Sequence, residues 1–307
     1  MILRAREHNA KINTSKGNKQ KHKHKTEVEK MLNVGVIGCG GMGKDHIKRL
    51  TEKIQGAQVV AVSDVFEEGA KEAAKIAGGA KVYTDGKDLI NDPDVDAVFI
   101  VSPGFAHTES LLQAIEAGKR VFCEKPLATT ADDCKKIVEA EVASGKHLIQ
   151  LGFMRRYDKG YVQVKEDIEI KEKYGEPLIL HCTHRNPEVG TNYNTPMAVH
   201  DTAIHEIDTL HWLVDDEYES AQVIMPKVTK YSHSELKDPQ IMLLRTKRGI
   251  CIDVEVFVNC KFGYDINCEV VCEDGAIKMA QPSYPSIRKD AAVSTKIDTD
   301  CFVRFKD

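Results

Sequence analysis

The stretch VGVIGCGGMGKDH, residues 34–46, decides the first half of the fold. It leads from an apolar, strand-like segment through a G-x-G-x-x-G pattern into an amphipathic segment. Glycine permits a tight turn and close approach of a bound group, and a helix start offers free N–H groups to a pyrophosphate. The pattern predicts a dinucleotide site with cofactor-binding residues Gly38, Gly40, Gly41, Met42 and Gly43.

Asp64 indicates which dinucleotide binds. It lies about 20 residues after the last of these glycines, at the end of the second predicted strand, where a carboxylate can accept hydrogen bonds from ribose hydroxyls. A 2′-phosphate would be repelled there, and neither Val65 nor Phe66 is an arginine that could receive it. The sequence therefore favours NAD over NADP. The alternative is a glycine-rich turn and a capping aspartate without a cofactor.

Strands and helices alternate around this motif. Strands are predicted at 34–37, 59–63, 97–101, 121–123 and 147–151, and helices at 43–54, 66–77, 106–117 and 131–143. Unbroken apolar runs are typical of strands buried on both faces, and their alternation with helices is typical of a parallel sheet with right-handed crossovers. We predict an N-terminal Rossmann domain, a doubly wound parallel sheet, over residues 31–151.

The pattern changes after Gly152. Helices are predicted at 155–173 and 199–214, followed by strands at 217–231, 239–246, 250–259 and 264–273, with a hairpin turn at 247–249. Such a run of strands with few helices favours a largely antiparallel open sheet covered on one face. The predicted fold class is α/β, with this C-terminal α+β domain over residues 152–307.

Composition and charge exclude several kinds of protein. Among 307 residues, 42% are hydrophobic, 29% are charged and 10 are prolines, which is ordinary for a globular chain. The longest apolar run, 97–101, is far shorter than the roughly 20 residues of a membrane span. Residues 1–30 hold nine Lys and Arg against three Asp and Glu, whereas the rest of the chain is acidic. We expect a disordered basic tail or a non-native leader there, and neither membrane nor nucleic acid as partner.

The nine cysteines are an odd number and lack the spacing of a disulfide framework or a zinc site. Reduced thiols, and therefore the cytoplasm, are the expected environment.

Two segments carry groups suited to alcohol oxidation. Lys125 follows a strand at the carboxyl edge of the sheet, where its ammonium could stabilise charge on a substrate oxygen. Asp201 and His205 are spaced i, i+4 on a helix, so that the histidine could accept a proton beside a carboxylate. From spacing alone, a surface lysine, a capping aspartate and a core histidine remain alternatives. A metal reading would use His200, His205, His211, Asp201 and Asp208, but their spacing converges poorly and we expect no metal.

The strings GVIGCGGMGKDH, CEKPL and LGFMRRYD, together with residues 181–213, resemble the Gfo/Idh/MocA oxidoreductases, specifically bacterial inositol 2-dehydrogenases, over residues 32–304. The resemblance implies NAD-dependent oxidation of myo-inositol to its 2-keto form, with His205 as general base beside Lys125 and Asp201. It places Arg155, His184, Asn186 and Tyr264 against the polyol. Further expected cofactor contacts are Ser102, Pro103, His107, Glu124 and Lys125. A homotetramer is also implied.

The sequence departs from this family at its carboxyl end. Family chains continue for several dozen residues beyond the segment at 302–305, so we expect a shortened C-terminal domain with reduced stability and activity. The alternatives are therefore an NAD-binding but catalytically impaired remnant, a related sugar or scyllo-inositol dehydrogenase, and a polyanion-binding protein led by residues 1–30.

Overall fold

The computed structural model describes residues 31–279 and two short strands at 286–289 and 292–295. The expectations for residues 1–30 and for the segment at 302–305 lie outside the described residues.

A parallel six-stranded sheet forms the first half of the molecule. Its strands are β1 (Leu32–Ile37), β2 (Ala57–Ser63), β3 (Lys81–Tyr83), β4 (Ala97–Ile100), β5 (Arg120–Cys123) and β6 (Ile149–Leu151). The helices are α1 (Gly41–Glu52), α2 (Glu67–Ile76), α3 (Gly86–Asn91), α4 (His107–Glu116) and α5 (Ala131–Ala143). The strand order β3-β2-β1-β4-β5-β6 confirms the predicted doubly wound sheet. The order reverses between β1 and β4, and ligands of such sheets bind in the crevice beyond these carboxyl ends.

The burial of the central strands accounts for the apolar runs that predicted them. Val34 and Val36 of β1 and Val98 and Ile100 of β4 are fully buried, as expected for central strands covered on both faces. The prediction omitted β3 and α3, which are three and six residues long. Elements this short do not complete a recognisable period.

The second half builds a mixed sheet. Its elements are α6 (Lys159–Glu169), α7 (Lys171–Tyr174), β7 (Pro177–Arg185), α8 (Ile204–Val214), β8 (Tyr218–Ile224), β9 (Gln240–Thr246), β10 (Cys251–Phe257), β11 (Asp265–Cys272) and β12 (Ala276–Lys278). A separate hairpin joins β13 (Ser286–Lys289) to β14 (Ala292–Thr295). The sheet order is β12-β11-β7-β10-β9-β8; β7 and β10 are parallel, and the other four neighbouring pairs are antiparallel. The predicted largely antiparallel sheet is confirmed.

One face of this sheet is buried and the other is open. Leu180, Val254 and Val270 point inward and are fully buried in a core shared with α6 and α8. On the outer face Ile179 and Leu243 are more than a third exposed. The period of two along each strand thus separates the two faces.

Several boundaries differ from the prediction. The helix expected over 155–173 is divided into a 3₁₀ turn at Met154–Tyr157, α6 and α7, because the Asp158 side chain accepts a hydrogen bond from the Tyr161 N–H and caps a new helix. The helix expected over 199–214 begins as a π-helical turn at Ala198–Ala203. The strand β7, which lies between β11 and β10, was not predicted at all.

In the described part of the chain, no helix combines the length and the apolar character needed to span a bilayer.

Candidate active site

The fingerprint turn after β1 has the geometry that a dinucleotide requires. Gly38 has φ of 95°, and a Cβ there would lie 2.5 Å from the Ser102 backbone nitrogen. A Cβ on Gly43 would lie 1.9 Å from the Gly38 carbonyl oxygen, so glycine at both positions lets α1 start directly against the turn. Open space surrounds Gly40 and Gly41, and no side chain caps the start of α1. The first N–H groups of this helix can therefore receive a pyrophosphate.

Asp64 lies beside this turn as predicted. Its carboxylate accepts hydrogen bonds from the backbone N–H of Cys39 at 2.7 Å and of Phe66 at 2.9 Å. Each oxygen keeps a lone pair for a further donor. The side chains of Val65 and Phe66 are exposed next to it. The residues present therefore fit NAD: Asp64 would accept hydrogen bonds from the ribose hydroxyls, and the glycine turn would hold the phosphates.

A cavity of about 610 Å³ lies between the two sheets. It brings together the three predicted catalytic residues, Lys125, Asp201 and His205. Of the predicted polyol contacts His184, Asn186 and Tyr264 also line it, and of the predicted cofactor contacts Met42, Glu124 and Lys125 do.

Lys125 lies at the carboxyl end of the strands of the first sheet. It lies two residues after the end of β5, and its Nζ donates a hydrogen bond to the Asp201 main-chain oxygen at 3.0 Å. Burial lowers the pKa of this ammonium, while the Asp201 and Glu124 carboxylates oppose that shift. The contact with Asp201 links the two halves of the molecule at the cavity.

The His205 ring is neutral at ordinary pH. Burial lowers its pKa well below the usual value, and the positive groups of Arg155 and Lys125 lower it further. Its Nδ1 is buried and has no hydrogen-bond partner among the described residues. An unsatisfied buried nitrogen is costly, and the residue also lines the cavity.

Asp201 differs from the prediction in its partner. Its carboxylate accepts a hydrogen bond from His200 Nδ1 at 2.8 Å, and not from His205. The cause is local: Asp201 lies in the π-helical turn before α8, which alters the i, i+4 geometry assumed for a continuous α-helix. The carboxylate still lines the cavity.

Arg155 also differs from the prediction, because it lies behind the cavity wall. The side chain is 1% exposed and forms an ion pair with Glu206, which is equally buried. His184 completes this cluster, with Nδ1 2.8 Å from Glu206 Oε2 and 3.1 Å from Arg155 Nη2. Sequence reasoning did not identify Glu206. The sequence does contain one indication: Glu206 is a carboxylate directly after the proposed base His205, in a largely apolar helical segment.

Asn186 and Tyr264 lie at the same end of the neighbouring strands β7 and β11 in the second sheet. Asn186 follows β7, and its backbone N–H donates to the Phe257 carbonyl oxygen at 2.9 Å. Tyr264 precedes β11, and its ring packs against the His184 ring in an edge-to-face arrangement, with the two ring centroids 5.8 Å apart. Both polar side chains thus face the same cavity as His184.

The remaining predicted cofactor residues divide into two groups. Ser102 and Pro103 follow β4 at the carboxyl edge, and the Ser102 hydroxyl is buried without a partner among the described residues. His107 is fully buried, with Nε2 2.7 Å from the Ser102 carbonyl oxygen and Nδ1 2.7 Å from that of Pro126. Its ring therefore ties two loops together and is not part of the cavity lining, and its contact with the cofactor stays a prediction.

A third histidine at the cavity, His46 of α1, was missed. Its Nε2 lies 2.8 Å from Glu124 Oε1, and its ring packs edge-on against Phe99 and Phe122. The fingerprint helix is thus connected to the loop that carries Lys125.

Comparisons with known proteins agree with this geometry. The profile "Oxidoreductase family, NAD-binding Rossmann fold" matches residues 32–153, and "GFO/IDH/MocA C-terminal domain" matches residues 161–278. Inositol 2-dehydrogenase of Pseudomonas savastanoi pv. phaseolicola is 53% identical over 89% of this chain and 82% of its own length. Inositol 2-dehydrogenase/D-chiro-inositol 3-dehydrogenase of Halalkalibacterium halodurans is 52% identical over 89% and 79%.

A solved structure is similar over the same part of the chain. Myo-inositol dehydrogenase from Lactobacillus casei, in complex with NAD(H) and myo-inositol, superposes with a TM-score of 0.86 at 44% identity. The match covers 90% of this chain and 82% of that one.

Proposed function

Because this chain belongs to the Gfo/Idh/MocA family of NAD-dependent oxidoreductases, we propose that it oxidises myo-inositol to 2-keto-myo-inositol (scyllo-inosose). The observation that carries the proposal is the neutral, buried His205 beside Lys125 in a cavity between the two sheets. The similar inositol dehydrogenases supply the substrate class.

The side chains divide the work of the reaction. The glycine turn and Asp64 would hold NAD, which would supply the acceptor for the hydride that leaves the substrate carbon. His205 takes the proton of the hydroxyl on that carbon, which it can do because its ring is neutral. Lys125 donates a hydrogen bond to the same oxygen and stabilises its developing charge.

Asp201 acts at two atoms in this proposal. Its main-chain oxygen holds the Lys125 ammonium in place at 3.0 Å. Its carboxylate accepts a hydrogen bond from His200 and adds negative charge to the cavity wall, which favours protonation of a base in the cavity.

The cavity also suits a ring with many hydroxyls. His184, Asn186 and Tyr264 provide both donors and acceptors along one wall. A site built from such groups selects for hydroxylated substrates, because a ligand without matching hydroxyls would leave buried polar atoms unpaired.

The test is NADH formation by the purified chain with myo-inositol, measured by absorbance. Scyllo-inositol, D-chiro-inositol and glucose serve as matched substrates that differ in hydroxyl number or orientation. We expect the highest kcat/KM with myo-inositol. A chain that binds NAD by titration yet turns over none of these polyols would contradict the proposal and favour the impaired remnant.

We also propose that the chain works as a homo-oligomer in the cytoplasm, a tetramer as the family resemblance implies. The open outer face of the second sheet supports association, since Ile179, Val223 and Leu243 are each more than a third exposed there. Light scattering of the wild type and of Leu243→Lys tests the assembly: a smaller species is expected for the variant, and a monomeric wild type would contradict it.

The proposed compartment rests on the cysteines. Free cysteines at eight described positions suit a reducing compartment.

A further inference from the structure

A buried charged cluster lies behind the cavity and takes no direct part in the reaction described above. Arg155, His184 and Glu206 are 1%, 3% and 2% exposed. Buried charges persist in proteins when they are paired and hydrogen-bonded, and here the guanidinium and the carboxylate satisfy each other. His184 is the member of the cluster that also lines the cavity.

The hydrogen bonds at His184 Nδ1 cannot all be made at once. Arg155 Nη2, at 3.1 Å, can only donate, whereas an ionised Glu206, with Oε2 at 2.8 Å, can only accept. One ring nitrogen either carries a proton or accepts one. The tautomer of His184 therefore decides which hydrogen bond forms. A protonated Nδ1 donates to Glu206, and an unprotonated Nδ1 accepts from Arg155.

Charge and distance favour the carboxylate. The Arg155 guanidinium beside it helps to hold the pKa of Glu206 below its usual range against the effect of burial, so the carboxylate is ionised. Burial lowers the pKa of His184, so its ring is neutral and has a single N–H. A charge-assisted hydrogen bond to a carboxylate is the stronger of the two contacts. The N–H therefore lies on Nδ1.

We propose that Glu206 is a positioning residue that fixes His184 as the Nδ1–H tautomer, so that Nε2 accepts a hydrogen bond from a hydroxyl of the polyol. This inference rests on the proposed function. Successive residues of an α-helix point about 100° apart. The start of α8 thus presents the base His205 to the cavity and the next side chain, Glu206, to the back of His184.

The first experiment is Glu206→Gln with myo-inositol and NAD. The glutamine amide can donate to Nδ1, which moves the ring proton to Nε2 and replaces an acceptor by a donor at the substrate. We expect KM for myo-inositol to rise about 10- to 100-fold, the range for a mismatched buried hydrogen bond, with a smaller change in kcat and unchanged KM for NAD.

Asp208→Asn is the matched control. Asp208 lies two residues further along α8 and pairs with Arg156 outside the cavity lining, so the variant also removes a carboxylate from an arginine pair. We expect its KM for myo-inositol to stay at the wild-type value. Equal KM values for Glu206→Gln and the wild type would overturn the inference.

A second measurement needs neither the Glu206→Gln variant nor turnover. In the wild type labelled with ¹⁵N-histidine, the resonances that vanish in His184→Asn identify this ring. We expect a protonated Nδ1 and an unprotonated Nε2. A proton on Nε2 would overturn the inference, whereas absent polyol turnover by the wild type would overturn the proposed function.

Discussion

The protonation state of His205 follows from its immediate neighbours. A histidine in water has a pKa near 6.5 and would be partly charged in the cell. Here burial and the positive charges of Arg155 and Lys125 favour the neutral ring. The same lysine is made less basic by its own burial. The sequence alone gives no sign that the pKa values of this histidine and this lysine are shifted. In the folded site, His205 is suited to accept a proton and Lys125 to donate a hydrogen bond.

Replacing His205 by alanine should reduce kcat by about 10²- to 10⁴-fold, the usual value of general-base assistance. NAD binding should be unchanged, because the glycine turn and Asp64 lie elsewhere. Stopped-flow or steady-state assays and cofactor titration measure the two effects separately. Lys125→Met should lower kcat similarly. A His205→Ala enzyme with normal turnover would refute proton transfer to this residue.

Asp64 should set the choice of cofactor. Its carboxylate lies beside the exposed Val65, so the double substitution Asp64→Ala with Val65→Arg replaces a repelling group by a phosphate-binding one. We expect the ratio of kcat/KM for NAD over NADP to fall at least about tenfold, or about 1.4 kcal/mol. Asp64→Asn alone separates the charge from the side-chain shape. A wild type that already prefers NADP would contradict the assignment.

At the scale of elements, α1 depends on a close approach to the turn before it. A Cβ on Gly43 would lie 1.9 Å from the Gly38 carbonyl oxygen, so Gly43→Ala must move the helix away from β1. We expect a lower melting temperature and weaker NAD binding.

Gly41→Ala is the control for this change, since open space surrounds that position. In the absence of cofactor its melting temperature should equal or exceed the wild type's, because alanine favours helix by up to about 1 kcal/mol. Differential scanning calorimetry distinguishes the two variants. Equal stability of Gly43→Ala and the wild type would show that the turn adapts.

The sequence predicted those elements whose periodicity is complete within the element. Central strands such as β1 and β4 show their burial as unbroken apolar runs, and the glycine pattern marked the start of α1. In contrast, β7 carries polar residues such as His181 and Arg185 on its outer face and a buried His184 on its inner face, so its apolar signal is weak. Its polar inner residue is part of the candidate site.

The same limit applies to the site itself. The family resemblance grouped Lys125, Asp201 and His205, and the structure places all three at one cavity. Side-chain pairing was less accessible: the His200–Asp201 contact depends on a π-helical turn, and the Arg155–Glu206 pair joins residues 51 positions apart. Long-range pairs of this kind leave no local pattern in a single sequence.

For the whole molecule, the buried histidines couple the site to stability. His184 and His205 both have pKa values below that of an unfolded histidine, because burial disfavours their charged forms. The unfolded chain therefore binds more protons than the folded one as pH falls through the unfolded value of about 6.5. Stability that is fully present above this pH is lost below it, at about 1.4 kcal/mol for each unit of pKa difference.

We therefore expect the melting temperature to fall between about pH 7.5 and about pH 5.5, before carboxylates titrate. His205→Gln removes one of the two groups and should show a shallower dependence, even if its stability at the higher pH is reduced. Glu206 adds a second decline at lower pH, since its lowered pKa gives stability that disappears as pH drops below the usual carboxyl range. Calorimetry from about pH 7.5 down to about pH 3, below the usual carboxyl range, checks both steps. Identical slopes for the wild type and His205→Gln would show that His205 is not buried as a neutral group, and would remove the physical basis for its role as the base.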